Sequence, residues 1–401
     1  MADKPSVLIV GGMGYIGRFL ALYIHENNLA SDVRLVDKVL PQLAWLAPEF
    51  ADACAQSKFV QADACQAQSL PRIFDRADGK EFDYVFNCAG ETRYSQDDEI
   101  YKLRVVTLAQ SIGKEAAKRG VKAFVELSSG LVYKSDSTPR KETDKLKPAI
   151  KHAQYKLQAE EELAKIEGLV VAIAVLKNAT TFTGIGKLTT QTYSLNLIIM
   201  RLAFTYGKYD SKFVSKGLVL ARVYKHLGEE LKWLWTKDLK VNTVHVDDVA
   251  RALWTACEWQ AKGKAGWDAS TMGAVPTFNV VDHTNTNQGQ LATHITEIYD
   301  IKTGFVGSLL STFARMNMDH VLEDINEHVM GPWADLLSDA GITRPGPLGP
   351  YLEKEQLKDE DLYLDGSRLE TLAGFTYSRP TLGKKELEEM IESYKTMNWW
   401  P

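Results

Sequence analysis

The chain has 401 residues, 47 basic against 52 acidic side chains for a formal net charge of −5, and a 45% hydrophobic composition. That length buries a sizeable core in one large or two closely joined domains, and the mildly acidic balance excludes an electrostatic footprint for nucleic acid. Four cysteines (Cys54, Cys65, Cys88, Cys257) stand far apart without metal-ligand spacing, so no metal is expected and a reducing compartment fits. No run reaches the ~18 apolar residues of a membrane span. A first strand beginning by Ser6 leaves no room for a cleaved targeting segment, so a cytoplasmic location is the expectation.

Val7 to Val10 is a short β-branched run, the pattern of a buried parallel strand. Gly11, Gly14 and Gly17 follow at a spacing of three, then a helical pattern with Ile16, Leu20 and Ile24 on one face. A second strand, Val33 to Val36, closes on Asp37. This is a βαβ unit with a glycine-rich first turn and a terminal acid, the arrangement that seats a dinucleotide diphosphate on a helix N-terminus. Asp37 suits the adenosine ribose hydroxyls and repels a 2′-phosphate, which favours NAD over NADP, with Lys38 beside it as the opposing feature. A bare turn is the plainer alternative, but strand, helix, strand and acid in order argue for a nucleotide.

Further strands are expected at Lys58–Ala62, Phe82–Asn87, Ala123–Leu127 and Leu169–Leu176, and helices at about 66–76, 98–119 and 148–166. Alternating strands and helices argue a Rossmann-type α/β fold, a doubly wound parallel sheet covered on both faces. Lys177–Met200 is threonine-rich, then apolar, without a period. It reads as an insertion, a retained intron being one origin and an extra buried helix the plainer alternative. Arg201 then looks like the continuation of the strand begun at Val170. Beyond it come a helix at 213–226, a strand at 241–246 leading to Asp247 and Asp248 as caps for a helix at 249–259, a strand at 277–281 and a helix at 288–299. Helices and proline-rich loops follow, with a last amphipathic helix at 386–397 and Trp399-Trp400-Pro401, expected either to pack on the body or to mark an oligomer contact. The division is thus 1–282 as the nucleotide-binding domain, with 208–240 partly in a smaller lobe, and 283–401 as a mostly helical C-terminal lobe.

Several motifs together resemble the extended short-chain dehydrogenase/reductase family, of the NAD-dependent epimerase/dehydratase type: GGMGYIG, VQADA, VFNCAG, ELSSGLVYK, RLAFTYGK and VHVDDVARAL. The resemblance spans Ser6 to about Asp282, with a weak tail at LDGSRLETLAGFTY. It implies cofactor contacts from Gly11, Gly14, Tyr15, Ile16, Gly17, Asp37, Asp63, Ala64, Cys88, Ala89, Gly90 and Lys156, and places Ser129 at the catalytic Ser/Thr position. The family's general base is a tyrosine in YxxxK, but here the stretch reads KHAQYKLQAEEEL. Aligning Lys156 with the lysine and Glu160 with the family's glutamate puts His152 at the tyrosine position. Tyr155 directly precedes the lysine, and adjacent helical residues point about 100° apart. His152 and Lys156, four apart, share a face. Arg104 stands where the family carries a structural asparagine, and Leu202-Ala203 replaces the proline of the RP segment. Arg93 and Tyr94 read either as contacts for an acidic substrate or as loop packing.

Three readings stay open: His152 as the acid/base, Tyr155 reaching the substrate from a shifted helix, or cofactor binding without the usual redox step. The leading expectation is an NAD(H)-dependent oxidoreductase or epimerase/dehydratase on a hydroxylated or keto small molecule, such as a nucleotide sugar or sterol-like alcohol. The alternative is a catalytically idle NAD-binding sensor or scaffold. The resemblance also implies a homodimer paired through the helices at 98–119 and 148–166.

Overall fold

The computed structural model describes residues 4–166, 169–174 and 188–401. Its strands are β1 (Ser6–Val10), β2 (Asp32–Asp37), β3 (Phe59–Gln61), β4 (Tyr84–Asn87), β5 (Ala123–Ser129), β6 (Leu169–Ala174), β7 (Leu188–Tyr193), β8 (Leu197–Leu202), β9 (Phe204–Tyr206), β10 (Leu231–Trp233), β11 (Thr243–His245), β12 (Thr277–Val280) and β13 (Thr303–Phe305). The helices are α1 (Tyr15–Glu26), α2 (Leu70–Phe74), α3 (Asp98–Tyr101), α4 (Leu108–Arg119), α5 (Lys151–Ala164), α6 (Phe213–Leu227), α7 (Val246–Ala261), α8 (Ala269–Met272), α9 (Gln288–Tyr299), α10 (Ser308–Met316), α11 (Met318–Asp339), α12 (Ser367–Ala373) and α13 (Lys384–Thr396). A π-helical stretch, Lys102–Thr107, joins α3 to α4, so the expected helix over 98–119 is continuous with one wide turn.

Seven parallel strands form the central sheet in the order β12-β8-β5-β4-β1-β2-β3. Every residue of β1 is buried because both faces are covered. Val7 and Ile9 face the layer of α1 and α7, while Leu8 and Val10 face the layer of α4 and α5. Strand order reverses between β1 and β4, which opens a crevice beyond their carboxyl ends. A smaller lobe gathers α6, the β10–β13 ribbon, α9, α10 and α11. Among the described residues no helix is long and apolar enough to cross a membrane.

Three expectations change. The sixth sheet strand is β8, in register with β5 from Phe124–Leu197 to Ser129–Leu202, and not the run beginning at Leu169. The two runs are both apolar and of similar length, so local pattern cannot rank them. What distinguishes β8 is Arg201: its guanidinium binds Glu160 of α5 through Nη2 (2.6 Å) and Nε (3.1 Å) and Tyr133 Oη through Nη1 (2.8 Å). The run at Leu169–Ala174 instead pairs antiparallel with β7, outside the central sheet. Of the stretch expected as an insertion, 177–187 lies outside the described residues, and Leu197–Met200 belongs to the sheet. The two flanks of the excursion meet in space: a side chain at Gly113 would come within 3.1 Å of Ile166 and 3.4 Å of Leu195. Finally, α7 begins at Val246 and is capped by His245, whose Nδ1 accepts from the Asp247 N–H (3.2 Å). Asp248 is fully buried and binds the Ser378 and Arg379 backbone N–H groups (2.8 and 2.7 Å), tying the C-terminal region to the sheet.

Candidate functional site

The turn after β1 is built for close backbone approach. Gly11 sits at φ +81, and a Cβ there would stand 2.6 Å from the Ala89 nitrogen. A Cβ at Gly17 would strike the Gly11 carbonyl at 2.2 Å, so this glycine lets α1 lie on the turn. Gly14 precedes α1 and offers no side-chain cap, which leaves the first-turn N–H groups and the positive end of the helix dipole facing the crevice. Asp37 braces the turn: its Oδ2 accepts from the Met13 N–H (3.2 Å) and its Oδ1 from the Val39 N–H (3.0 Å).

The crevice encloses about 650 Å³, the size class of a cofactor pocket. Gly11, Gly14, Tyr15, Ile16, Asp37, Asp63, Ala64, Cys88, Ala89, Gly90 and His152 line it. Gly17 lies beneath the turn, and Ser129, Tyr155 and Lys156 are not part of the lining. Ser129 Oγ accepts from the Leu131 N–H (3.2 Å). Lys156 lies just under the wall, its Nζ 3.5 Å from where a side chain at Gly90 would begin. That ammonium donates to the Leu127 carbonyl (2.6 Å) and stands 3.6 Å from Glu126 Oε1. Burial raises the Glu126 carboxyl to about 7, while the other carboxylate oxygen accepts from Asn87 Nδ2 (2.6 Å).

Helix α5 sets His152 and Lys156 on one face and turns Tyr155 away, stacked on Tyr101 at 5.4 Å and 16°. The His152 ring stands edge-on to Tyr94 (5.9 Å) and Tyr101 (6.4 Å), and its Nδ1 is sealed from solvent with no hydrogen-bond partner among the described residues. Burial, reinforced by the Lys156 and Lys212 cations, lowers its pKa to about 3, so the imidazole is neutral at neutral pH. Tyr94, which lines the crevice beside it, is pushed up to about 12 by burial and stays protonated. At this end of the crevice His152 and Tyr94 therefore offer hydrogen-bonding groups, and neither is poised to take a proton at neutral pH.

Arg93 is engaged within the chain: its guanidinium forms a fork with Glu91 (2.9 Å and 2.9 Å), and Arg104 from the π-helical stretch adds a bond to the same carboxylate (2.8 Å). Burial works to raise the Glu91 pKa, but these bonds and the Arg93 backbone N–H hold it at about 2. Lys212, at the start of α6, and Trp45 also line the crevice and had no sequence signal. Trp399 completes that wall: it is 2% exposed and packs edge-on against Trp45 (6.0 Å) and Tyr209 (6.3 Å). The terminal tryptophans thus pack on the body, as one of the two readings had it, and only a contact between distant residues reveals their position at the crevice.

A profile of the NAD dependent epimerase/dehydratase family matches residues 7–269. No curated protein matches the chain in sequence. Among solved structures it is similar to a UDP-glucuronic acid 4-epimerase from Bacillus cereus, in complex with UDP-glucuronic acid and NAD, at 14% identity and a TM-score of 0.62 over 98% of this chain and 99% of that one. It is similar also to Pal from Bacillus thuringiensis, at 15% identity and a TM-score of 0.62 over 98% and 99%. A UDP-N-acetylglucosamine 4-epimerase from Methanobrevibacter ruminantium M1, in complex with UDP-N-acetylmuramic acid, follows at 14% and 0.60 over 99% and 98%. At such identities the likeness speaks for the fold alone.

Proposed function

The chain belongs to the NAD dependent epimerase/dehydratase family, and from that premise we propose that it holds NAD(H) in the crevice but works as a binding protein, a sensor or scaffold, without the family's proton relay. The cradle of glycines supports the first half: residues at Gly11 and Gly17 with side chains would fill the turn. The α1 N–H groups take the diphosphate, Asp37 the adenosine ribose, Asp63 and Ala64 the adenine side, and Cys88 to Gly90 the nicotinamide side. NAD selection over NADP follows from the Asp37 charge. Residues 1–282 form the holding domain, and 283–401, with part of 208–240, the lobe that closes over it.

One observation carries the second half. The lysine that would tune a general base is bound to Leu127 and drawn to Glu126, and the residue in the tyrosine's place is a neutral imidazole of depressed pKa. A bound nicotinamide would supply a hydride acceptor, but neither His152 nor Tyr94 supplies the matching base at neutral pH. Calorimetry with NAD is expected to give saturable heat, with no reduced-cofactor absorbance across a panel of alcohols and sugar nucleotides.

The place of His152 in the crevice lining favours a second reading, in which the neutral imidazole hydrogen-bonds a substrate oxygen and Ser129 and Lys156 assist an oxidoreductase or epimerase step. The substrate would then be a hydroxyl or keto compound, with the nucleotide sugars of the similar enzymes or a sterol-like alcohol as the classes to try. Turnover that vanishes in His152→Ala and survives Tyr155→Phe would select this reading. A homodimer through α4 and α5 belongs to the same proposal, and sedimentation velocity tests it.

A further inference from the structure

We infer that Glu126 is the residue by which the crevice tells the oxidised dinucleotide from the reduced one. Its carboxyl keeps a proton when the nicotinamide is neutral and releases it when the nicotinamide is cationic. The inference rests on the NAD reading above and names how that site is regulated. Its ground is a pair of charges beneath the wall. Lys156 Nζ lies 3.5 Å from where a side chain at Gly90 would begin, and Glu126 Oε1 lies 3.6 Å from that ammonium. Glu126 is 1% exposed and does not line the crevice, so it acts on a ligand through charge and not by contact.

The carboxyl is held in a way that suits either protonation state. Oε2 accepts from Asn87 Nδ2 (2.6 Å), but Oε1 is buried with no hydrogen-bond partner among the described residues. The Lys156 ammonium spends its hydrogen bond on the Leu127 carbonyl (2.6 Å). The other charged and titratable groups around the carboxyl are fixed. Glu160 of α5 is bound by Arg201 of β8 and by Ser128 Oγ, and burial together with Glu126 keeps the Cys88 thiol protonated. Burial and Glu160 push the Glu126 carboxyl up, Lys156 and Asn87 draw it down, and the balance falls at about 7. When Glu126 is protonated, Lys156 is an uncompensated cation under the wall assigned to the nicotinamide, which opposes NAD+. When Glu126 is ionised, it offsets that cation and admits the ring charge. NADH carries no ring charge and is indifferent to the choice. NAD+ binding therefore expels the Glu126 proton to the buffer, with no covalent bond made or broken on the dinucleotide.

The test is calorimetry of the full chain with NAD+ and with NADH at pH 7, in PIPES and in imidazole, buffers of small and large ionisation heat. NAD+ should release ~0.4 proton per site, the change when a half-ionised group moves its midpoint down by about one unit, and NADH close to none. The ratio of NAD+ to NADH affinity should rise about fivefold from pH 6 to pH 8 by the same linkage. Glu126→Gln keeps the shape and removes the charge, and should abolish both the release and the pH trend. Should that variant fail to fold, infrared difference spectra of the unaltered chain carry the test: a protonated-carboxyl band must vanish on adding NAD+ and persist with NADH. Binding heat that is the same in both buffers, release that survives Glu126→Gln, or equal release with NADH overturns this inference alone. Absence of heat from either dinucleotide overturns the NAD reading with it.

Discussion

The two ends of the crevice are made of different material. At the amino-terminal end the recognition surface is backbone, and its shape is enforced by glycines whose replacement would drive a Cβ into the Gly11 carbonyl or the Ala89 nitrogen. At the α5 end the groups are side chains, and several are drawn into internal bonds: Lys156 to Leu127 just under the wall, Arg93 and Arg104 to Glu91, Ser129 to Leu131, while His152 Nδ1 has no partner among the described residues. A site built from backbone survives drift of the sequence, since most substitutions leave it untouched. A site built from side chains loses its chemistry when one member changes, although the helix that carried it stays in place.

The contrast can be broken or sharpened by experiment. The largest effect is expected at the anchor of α5, where Arg201 and Glu160 are each about 5% exposed. Arg201→Leu leaves a buried carboxylate unpaired and should cost about 3–5 kcal/mol in urea unfolding. Next comes the turn: Gly17→Ala should cost about 1–3 kcal/mol through crowding and abolish calorimetric NAD binding, whereas His152→Ala should leave that binding within a few-fold of the original. Asp37→Asn should follow, with NAD affinity reduced about tenfold, or roughly 1.4 kcal/mol, and the preference over NADP narrowed.

His152 gives a pH signature of intermediate size. Its folded pKa of about 3 lies below the ordinary 6.5, so the unfolded chain binds the extra proton between those values. The stability contribution is complete above pH 6.5 and is lost as pH falls toward 3. His152→Phe should flatten that part of the profile, measured as melting temperature from pH 7 to 4. The smallest effect is expected from deleting residues 169–194 and joining Gly168 to Leu195. Because Ile166 and Leu195 already meet over Gly113, the melting temperature should hold within a few degrees. A collapse of the fold would show that this excursion supports it. Transcript sequencing asks separately whether Lys177–Met200 is a retained intron.

What the sequence revealed follows the same division. Three spaced glycines, a strand ending on Asp37 and the i, i+4 spacing of His152 and Lys156 are local signals, and they position the crevice and one face of α5. The capture of Lys156 was not legible, because its acceptors lie about thirty positions away in AFVELSS, where Glu126 looks like a break in an apolar strand. Nor was the choice of β8, since two apolar runs competed and the deciding partner, Glu160, comes from another element.

Trp399 carries one more consequence. The glycine turn emerges early in synthesis, yet the aromatic wall that faces it is supplied by a side chain nearly four hundred positions later. A nascent chain can therefore form the βαβ unit on the ribosome while the crevice stays open on that flank. The wall is complete only once the carboxyl-terminal residues have been made, and an affinity tag beside the tryptophans would crowd it.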